Sequence, residues 1–256
     1  MVGDIPHPDR TLILEYADDL SITVTADTLV EAIRLIRNAI TMLEHWTETW
    51  LLTLNPSKTK AMCFTKKRVL DLLPTLRVNG EDIEWVKTFK YLGLIFDAPT
   101  LTWKKHIEET CRQAHQRVNI LKALTGTTWG ADRVYLLMIY KVYIRSKLTY
   151  GATAIASAAD SRIENLNKVQ NAALRVALGA RRTSPITALQ AESDFPPLNI
   201  YLKELNCTYY LKAEAQGDSH PMICDMKQDP NVANKYWTPG IFKRPHVVRT
   251  KNTLRQ

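Results

Sequence analysis

Two short β-prone segments on either side of an acidic corner, Tyr16-Ala17-Asp18-Asp19, constrain the fold of this chain most strongly. Residues 11–14 form an apolar run, and residues 20–24 alternate between apolar and polar side chains. This pattern predicts a β-hairpin with two adjacent carboxylates at its tip. Because adjacent carboxylates repel each other, a site that retains both usually offsets their charge with a cation. A hard divalent ion such as Mg²⁺, which also binds substrate phosphates, suits such a pair.

Alone, this tetrapeptide leaves two interpretations open, because two aspartates in a turn are common in proteins. One interpretation is a metal-binding catalytic turn. The other is a solvated hairpin turn whose charges simply face water. The rest of the sequence has to distinguish between them.

The composition bounds the class of protein. The chain has 256 residues, of which 45% are hydrophobic and 23% are charged, so it can bury a core and suits one or two domains. Its 34 lysines and arginines exceed its 26 aspartates and glutamates, which gives a net charge of +8. A basic chain favours polyanionic partners such as nucleic acids, although charge alone does not identify one.

Three sequence features predict where the protein acts. The four cysteines form no Cys-x-x-Cys pair, which predicts reduced thiols. The first eight residues lack the apolar segment of a signal peptide, and no apolar stretch is long enough to span a bilayer. We therefore expect an intracellular protein of the nucleus or cytoplasm, not secreted and without a membrane partner.

The first hundred residues combine helix and strand patterns. Apolar residues recur every three or four positions from Asp27 to Trp50, which predicts an amphipathic helix capped by Thr25 or Asp27. A strand is expected at residues 61–65, and Asn79-Gly80 marks a second hairpin. Residues 89–97 predict either another strand pair or one bent strand.

Beyond Pro99 the pattern is almost entirely helical. The apolar spacing predicts helices at about 103–124, 131–148, 160–178 and 197–216. From Gly217 the periodicity fades, and Pro, Asn and basic residues dominate. The predicted fold class is therefore α+β, with a small mixed unit followed by a helical bundle. In the first helix of the bundle the expected core positions are Ile107, Cys111, Ala114, Val118 and Leu121.

Read in order, several blocks resemble the reverse transcriptases of non-LTR retrotransposons, in particular the jockey and I-element group. The acidic hairpin is similar to the family's Tyr/Phe-x-Asp-Asp turn. Asn55-Pro56-Ser57-Lys58-Thr59 resembles the Asn-x-x-Lys-Thr that follows the palm helix, and residues 91–97 resemble the primer grip. Further blocks are similar to the family's thumb: Leu148-Thr149-Tyr150-Gly151, residues 169–175, Leu178-Gly179-Ala180, residues 183–186 and Pro196-Pro197-Leu198.

The resemblance covers roughly residues 4 to 216. It implies both the domains of the chain and the parts of the enzyme that the chain lacks. It implies a partial palm at 1–98, an antiparallel sheet with a packed helix that carries the catalytic hairpin and primer grip. An all-helical thumb at 99–216 and a basic, loosely ordered tail at 217–256 would follow. The family's palm needs a further Asp on a strand N-terminal to the hairpin, and its fingers also lie upstream. Only fifteen residues precede Tyr16, so we expect these parts to be missing and the isolated chain to be inactive.

The resemblance also implies roles for individual residues. Asp18 and Asp19 would bind Mg²⁺ and carry the chemistry, although Asp19 could instead shape the turn. Lys58 would act as a general acid or neutralise the leaving pyrophosphate. Each implied role also has a purely structural alternative. Tyr16 could be an ordinary strand aromatic, residues 91–96 a buried strand, and the basic residues of the first thumb helix its solvated face. The other implied sites are substrate-binding Tyr16, Ala17, Tyr91, Leu92 and Gly93, and nucleic-acid-binding Lys104, Lys105, Arg112, Arg117 and Lys122.

The implied function is that of a fragment of an RNA-directed DNA polymerase. Its partners would be an RNA template, a DNA primer and deoxynucleoside triphosphates, and its cofactor Mg²⁺ in a two-metal site that this chain leaves incomplete. Two alternatives remain open: a non-catalytic nucleic-acid-binding protein derived from a mobile element, and a degenerate relic without a role. The intact Asp18-Asp19 pair argues against the relic, which would be free to lose it.

Overall fold

The computed structural model describes residues 5–6, 8–66, 73–126, 130–217 and 220. The chain divides into two compact units. The first is Met1–Lys90 with Asp97–Leu101, and the second is Tyr91–Phe96 with Thr102–Gln256. The predicted basic tail lies outside the described residues, apart from Gly217 and His220. The predicted domain limits stay predictions.

The first unit begins with the predicted hairpin. Strand β1 (Thr11–Tyr16) pairs in antiparallel register with β2 (Asp19–Val24), and the tip between them has two residues. Because side chains alternate along a strand, Ile13 is buried while Leu12 and Leu14 on the opposite face are each 47% exposed. The hairpin prediction is confirmed, and one of its faces remains open to solvent.

Helix α1 (Leu29–Thr49) follows, as the amphipathic pattern predicts. The hydroxyl of Thr28 accepts a hydrogen bond from the amide of Glu31 at 3.2 Å, so Thr28 is the N-cap. The predicted caps Thr25 and Asp27 are wrong, because Thr28 still has the extended backbone of a cap residue and the helix begins only after it.

A second sheet contains β3 (Lys60–Ala61), β4 (Leu76–Val78) and β5 (Glu81–Trp85), in the order β3-β5-β4. β4 and β5 form the antiparallel hairpin predicted from Asn79-Gly80. The two turn residues have φ angles of 51° and 80°, as a two-residue type I′ turn requires.

This sheet differs from the predicted antiparallel palm sheet. β3 pairs in parallel with β5, and β1 and β2 form a separate two-stranded sheet. β4 occupies one edge of β5, so β3 pairs with the other edge, where it runs in the direction of β5. The strand expected at 61–65 is also shorter, because the amide of Thr65 donates to the carbonyl of Pro99 at 2.9 Å and not to β5.

Two apolar clusters fix α1 in the first unit. Ile13 of β1 and Leu43 of α1 are buried together under the hairpin. A second cluster joins Ile40 of α1 to Val78 of β4 and Ile83 of β5. Burying an aliphatic side chain contributes roughly 1.5–3 kcal/mol. Through these two clusters α1 packs against both sheets and stabilises their positions.

Strands β6 (Thr88–Tyr91) and β7 (Leu94–Asp97) form a third small sheet, which resolves the ambiguity at residues 89–97 in favour of a strand pair. The turn between them consists of Leu92 and Gly93, with φ angles of 46° and 79°. A left-handed conformation costs a non-glycine residue roughly 1–2 kcal/mol, so Leu92 needs support from its surroundings.

The second unit is mainly helical, as predicted. A π-helical segment, Tyr140–Arg145, joins α3 (Arg133–Ile139) to α4 (Ser146–Thr149) where the spacing predicts one continuous α-helix. The short helices α5 (Ala152–Ile155) and α7 (Ile186–Ser193) lie outside the predicted helices, because each is too short to produce a periodic apolar pattern. No helix of the described ranges is long and apolar enough to cross a bilayer. The helices are α2 (Lys104–Ala123), α3 (Arg133–Ile139), α4 (Ser146–Thr149), α5 (Ala152–Ile155), α6 (Asp160–Ala177), α7 (Ile186–Ser193) and α8 (Leu198–Gln216).

Helix α2 buries the face that its spacing predicts. Ile107, Ala114, Val118 and Leu121 are buried. Cys111, expected in the same core, is only half-buried because it lies at the edge of that face. Partial burial still raises the pKa of its thiol, which keeps Cys111 protonated at neutral pH.

Polar side chains of α6 tie the start of α8 into the second unit. The Gln170 amide accepts from the Tyr140 hydroxyl and donates to the Pro196 carbonyl, both at 2.8 Å. Asn167 Oδ1 accepts from the amide of Leu198 at 2.8 Å and therefore caps α8 from a neighbouring helix. The sequence blocks around residues 170 and 196 thus meet in one buried network.

This arrangement predicts the effect of removing the cap. Asn167→Ala leaves the buried amide of Leu198 without an acceptor, which costs about 2 kcal/mol of unfolding free energy. Asn165→Ala is the control, because Asn165 is exposed on the same helix. Urea denaturation followed by far-ultraviolet circular dichroism measures both variants. Equal stability of the two would contradict the capping role.

Candidate active site

The tip of the β1–β2 hairpin presents two carboxylates to solvent. Tyr16 pairs with Asp19 at the end of the ladder, and Ala17 and Asp18 form the turn. Ala17 has a φ of 55°, a left-handed conformation that glycine would adopt with less strain. Non-glycine residues held in this region often lie at functional turns. Tyr16 is 65% exposed, and both aspartates are exposed beside it.

The donor chemistry of this tip fits a hard divalent cation. Carboxylate oxygens are the ligands that Mg²⁺ prefers, and Mg²⁺ commonly binds one or two carboxylates together with substrate phosphates. Within the described ranges, no group of three or more His, Cys, Asp or Glu side chains could hold a metal ion. Asp18 and Asp19 would therefore provide part of a site that needs further ligands.

Lys58 lies in a loop shaped by Asn55. The Asn55 side-chain oxygen accepts from the Ser57 amide at 3.1 Å and from the Lys58 amide at 3.3 Å. Such an Asx turn fixes the backbone and leaves the Lys58 ammonium exposed. No hydrogen bond or ion pair connects Lys58 to Asp18 or Asp19 in the part of the chain that the structure describes.

The β6–β7 turn is held by the end of α4. The hydroxyl of Tyr150 donates to the carbonyl of Leu92 at 2.6 Å. A Cβ atom built on Gly93 would lie 3.0 Å from the Tyr150 ring, so the ring covers this glycine closely. Gly151 approaches the next strand residue, since a Cβ there would lie 2.5 Å from a methyl group of Leu94. Of the predicted contact residues, Tyr91 is half-buried and Leu92 is exposed.

His106 of α2 supports the same strand from another side. Its Nδ1 atom accepts a hydrogen bond from the amide of Ile95 at 3.3 Å. Burial lowers the pKa of His106 below its usual value, and the charge of Lys147 lowers it further. The imidazole is therefore neutral near pH 7, as an acceptor at Nδ1 has to be.

The basic residues predicted on α2 occupy two different faces. Lys104, Lys105, Arg112 and Lys122 lie within roughly a third of the helix circumference, and all four are exposed. Arg117 points to the opposite side, where its guanidinium lies over the Tyr143 ring at 4.4 Å from the ring centre.

Arg112 and Lys104 of the exposed basic face lie beside carboxylates. Arg112 donates two hydrogen bonds of 2.7 Å to the Glu109 carboxylate. The Nζ atom of Lys104 lies 3.9 Å from Oε1 of Glu108. Hydrogen bonds from Arg112 and Gln113 lower the pKa of Glu109 to about 2. The pairing reduces the positive charge that Arg112 offers to a polyanion.

Comparison with known proteins identifies the relatives of this chain. It is 29% identical to a protein of Drosophila melanogaster described as "Probable RNA-directed DNA polymerase from transposon BS" over 173 residues, 66% of this chain and 18% of that protein. The corresponding X-element protein of Drosophila melanogaster is 21% identical over 98% of this chain and 28% of its own length. The RNA-directed DNA polymerase from mobile element jockey of Drosophila funebris is 23% identical over 83% of this chain and 22% of its own length. This chain is therefore homologous to RNA-directed DNA polymerases of Drosophila non-LTR retrotransposons.

The resemblance recognised in the sequence is thereby confirmed at the level of homology. The chain spans less than a third of the length of each of these reverse transcriptases. No family model and no solved structure matches it. The roles of its individual residues are therefore argued from the geometry of the chain itself.

The sequence analysis does not identify Tyr150, Gly151 and His106 as supports of the β6–β7 turn. Tyr150-Gly151 belongs to a block that resembles these reverse transcriptases, but the resemblance places that block only in a thumb helix. A Tyr-Gly pair at a helix end was the available signal, since glycine often marks a close approach. His106 gave no signal beyond its place in an amphipathic helix.

The His106 contact predicts a pH dependence. The folded state keeps His106 neutral, whereas the unfolded chain binds a proton near pH 6.5. The contribution of His106 to the free energy of unfolding should therefore be fully present above about pH 6.5 and should be lost as the pH drops below that value. His106→Asn should flatten the decline between pH 7.5 and 5.5 in urea denaturation, and His115→Asn, an exposed control on α2, should not. Identical slopes in wild type and His106→Asn would contradict this account.

Proposed function

We propose that the chain is the C-terminal palm and thumb portion of a retrotransposon reverse transcriptase. The observation that carries the proposal is the pair of adjacent, exposed carboxylates at the tip of the β1–β2 hairpin, in a chain homologous to such enzymes. Its template would be RNA, its primer DNA and its substrates deoxynucleoside triphosphates. It would act in the nucleus or cytoplasm, where these nucleic acids occur.

In this proposal Asp18 is the main metal-binding carboxylate. Two Mg²⁺ ions, when bound, would stabilise the charge on the attacking 3′-oxygen and on the leaving pyrophosphate. Asp19 would share the metal site or hold the turn, since it begins β2 opposite Tyr16. Tyr16 and Ala17 would contact the incoming nucleotide and the primer end. Lys58, exposed on its rigid loop, would neutralise the pyrophosphate.

The hairpin supports the view that further palm elements belong to the active enzyme. A two-stranded sheet is marginally stable unless other strands or a helix cover it. α1 covers only the inner face, and the outer face exposes Leu12, Leu14 and Tyr16. We propose that an upstream segment, carrying the further metal-binding Asp, completes the sheet in the parent enzyme. The chain alone would then bind nucleic acid without extending a primer.

The thumb in this proposal binds duplex through α2. Lysine and arginine side chains contact phosphates without reading bases, so this interface would position the duplex and carry no sequence preference. We propose Lys104, Lys105 and Lys122 as the main phosphate contacts, because all three are exposed on one face of α2. Arg112 lies on the same face but is held by two hydrogen bonds to Glu109. The same basic face, which needs no metal, is what favours the second candidate function, a non-catalytic nucleic-acid-binding protein.

The carboxylates are tested in a fusion of residues 1–256 with the upstream segment of the parent gene. Asp18→Asn should reduce primer extension roughly a thousandfold or more, because the metal loses its charged ligand while the side-chain size is kept. Asp19→Asn should have a smaller effect if it mainly holds the turn. Asp9→Asn changes an exposed carboxylate of the same unit and should leave extension intact. Near-normal extension by folded Asp18→Asn would remove the catalytic proposal and favour the non-catalytic one.

The thumb interface is tested with the chain alone. Fluorescence anisotropy should detect primer–template binding that weakens steeply with salt. Replacing Lys104, Lys105 and Lys122 by Gln should lower the salt slope by about one unit for each phosphate that the helix no longer neutralises. The control replaces three exposed lysines of α6 and α8, namely Lys168, Lys203 and Lys212. Equal slopes in the two triple variants would show that α2 is not the interface.

A further inference from the structure

The turn between β6 and β7 is anchored by Tyr150, a residue to which the resemblance assigns no role. Leu92 and Gly93 both have positive φ angles, and Leu92 is exposed at the outer corner of the turn. Leu92 is therefore strained by roughly 1–2 kcal/mol relative to an ordinary turn residue. Such a conformation persists only where the surrounding structure fixes it.

Tyr150 supplies that fixation through two separate contacts. Its hydroxyl donates to the Leu92 carbonyl at 2.6 Å, which fixes the orientation of the peptide between the two turn residues. Its ring lies against Gly93, where even a methyl group would approach the ring to 3.0 Å. The hydroxyl therefore fixes the orientation of one peptide group, and the ring limits how closely the turn can approach the end of α4.

Two residues near Tyr150 in the fold hold the strand that follows the turn. Gly151, with a φ of 69°, is the N-cap of α5 directly after the tyrosine and closely approaches Leu94 of β7. His106 accepts from the Ile95 amide one residue further along β7. Three residues of the strand region, Leu92, Leu94 and Ile95, are thus held by side chains or backbone of the helical unit.

We propose that Tyr150 is a positioning residue for the primer 3′ end. This inference rests on the proposed function, in which the Tyr91–Gly93 segment supports the primer through its main chain. Tyr150 acts through the Leu92–Gly93 turn and touches neither primer nor nucleotide. Its removal lets the turn reorient, so the primer end is bound but is aligned less often with the incoming nucleotide.

The first experiment measures the turn in the chain alone. Tyr150→Phe keeps the ring over Gly93 and removes only the hydroxyl, so the protein should fold. Amide hydrogen exchange of residues 89–96 should become roughly three- to tenfold faster, the factor expected for loss of one hydrogen bond. Tyr135→Phe is the control, because Tyr135 is 64% exposed and its hydroxyl has no hydrogen-bond partner in the described part of the chain. Unchanged exchange in Tyr150→Phe would overturn the proposal.

The second experiment measures catalysis in the fusion with the upstream segment. Tyr150→Phe should lower the single-turnover extension rate about tenfold while the Kd for primer–template stays within about twofold, and Tyr150→Leu should lower the rate further. A merely structural role would reduce the active fraction and leave the rate of the remaining molecules unchanged. Wild-type extension by folded Tyr150→Phe would overturn the positioning role. If the wild-type fusion does not extend primers, the proposed function is overturned, and the role of Tyr150 in catalysis with it. The hydrogen-exchange experiment still decides whether Tyr150 anchors the turn.

Discussion

The packing of the β1–β2 hairpin on α1 determines where the acidic tip of this chain lies. Ile13 and Leu43 form the buried contact, and Thr28 fixes the start of the helix that provides it. Because side chains alternate with a period of two, burying Ile13 also decides which face of the hairpin is open. The exposure of Leu12 and Leu14 thus follows from the burial of Ile13 in this cluster.

The second unit depends on polar contacts buried among its helices. Gln170 and Asn167 of α6 bond to the segment that starts α8, and Tyr140 joins them from the π-helical segment. Arg145 of that segment is also buried, with its guanidinium 3.6 Å from the centre of the Tyr201 ring. Interactions of this kind are strong only where water is excluded. They give the helical unit a defined shape, against which the β6–β7 turn can be held.

Local sequence signals predicted the features that neighbouring residues determine. The acidic hairpin, the Asn79-Gly80 turn and the long helices all follow from short-range patterns. The helix cap was assigned wrongly because Thr25, Asp27 and Thr28 are all acceptable cap residues by type. The parallel pairing of β3 with β5 depends on which strand edge is free, and no local pattern contains that information.

The candidate site divides in the same way between local and long-range features. The position of the two aspartates at a hairpin tip was predictable because they are adjacent in sequence and belong to a recognisable turn pattern, while their role stays a prediction. Tyr150 and Leu92 are 58 positions apart, so their contact appears only in the folded chain. The pairing of Arg112 with Glu109 is visible in the sequence as a three-residue helical spacing. The contact of Arg112 with nucleic acid stays a prediction.

Metal-directed cleavage of the parent polymerase tests the central claim that the hairpin tip binds the catalytic metal. Fe²⁺ replaces Mg²⁺ in the enzyme bound to primer–template, and ascorbate with peroxide then produces hydroxyl radicals at the metal. The account predicts backbone cleavage around Tyr16–Asp19, identified by mass spectrometry and suppressed by excess Mg²⁺. An enzyme that extends primers but is cleaved only elsewhere would contradict it.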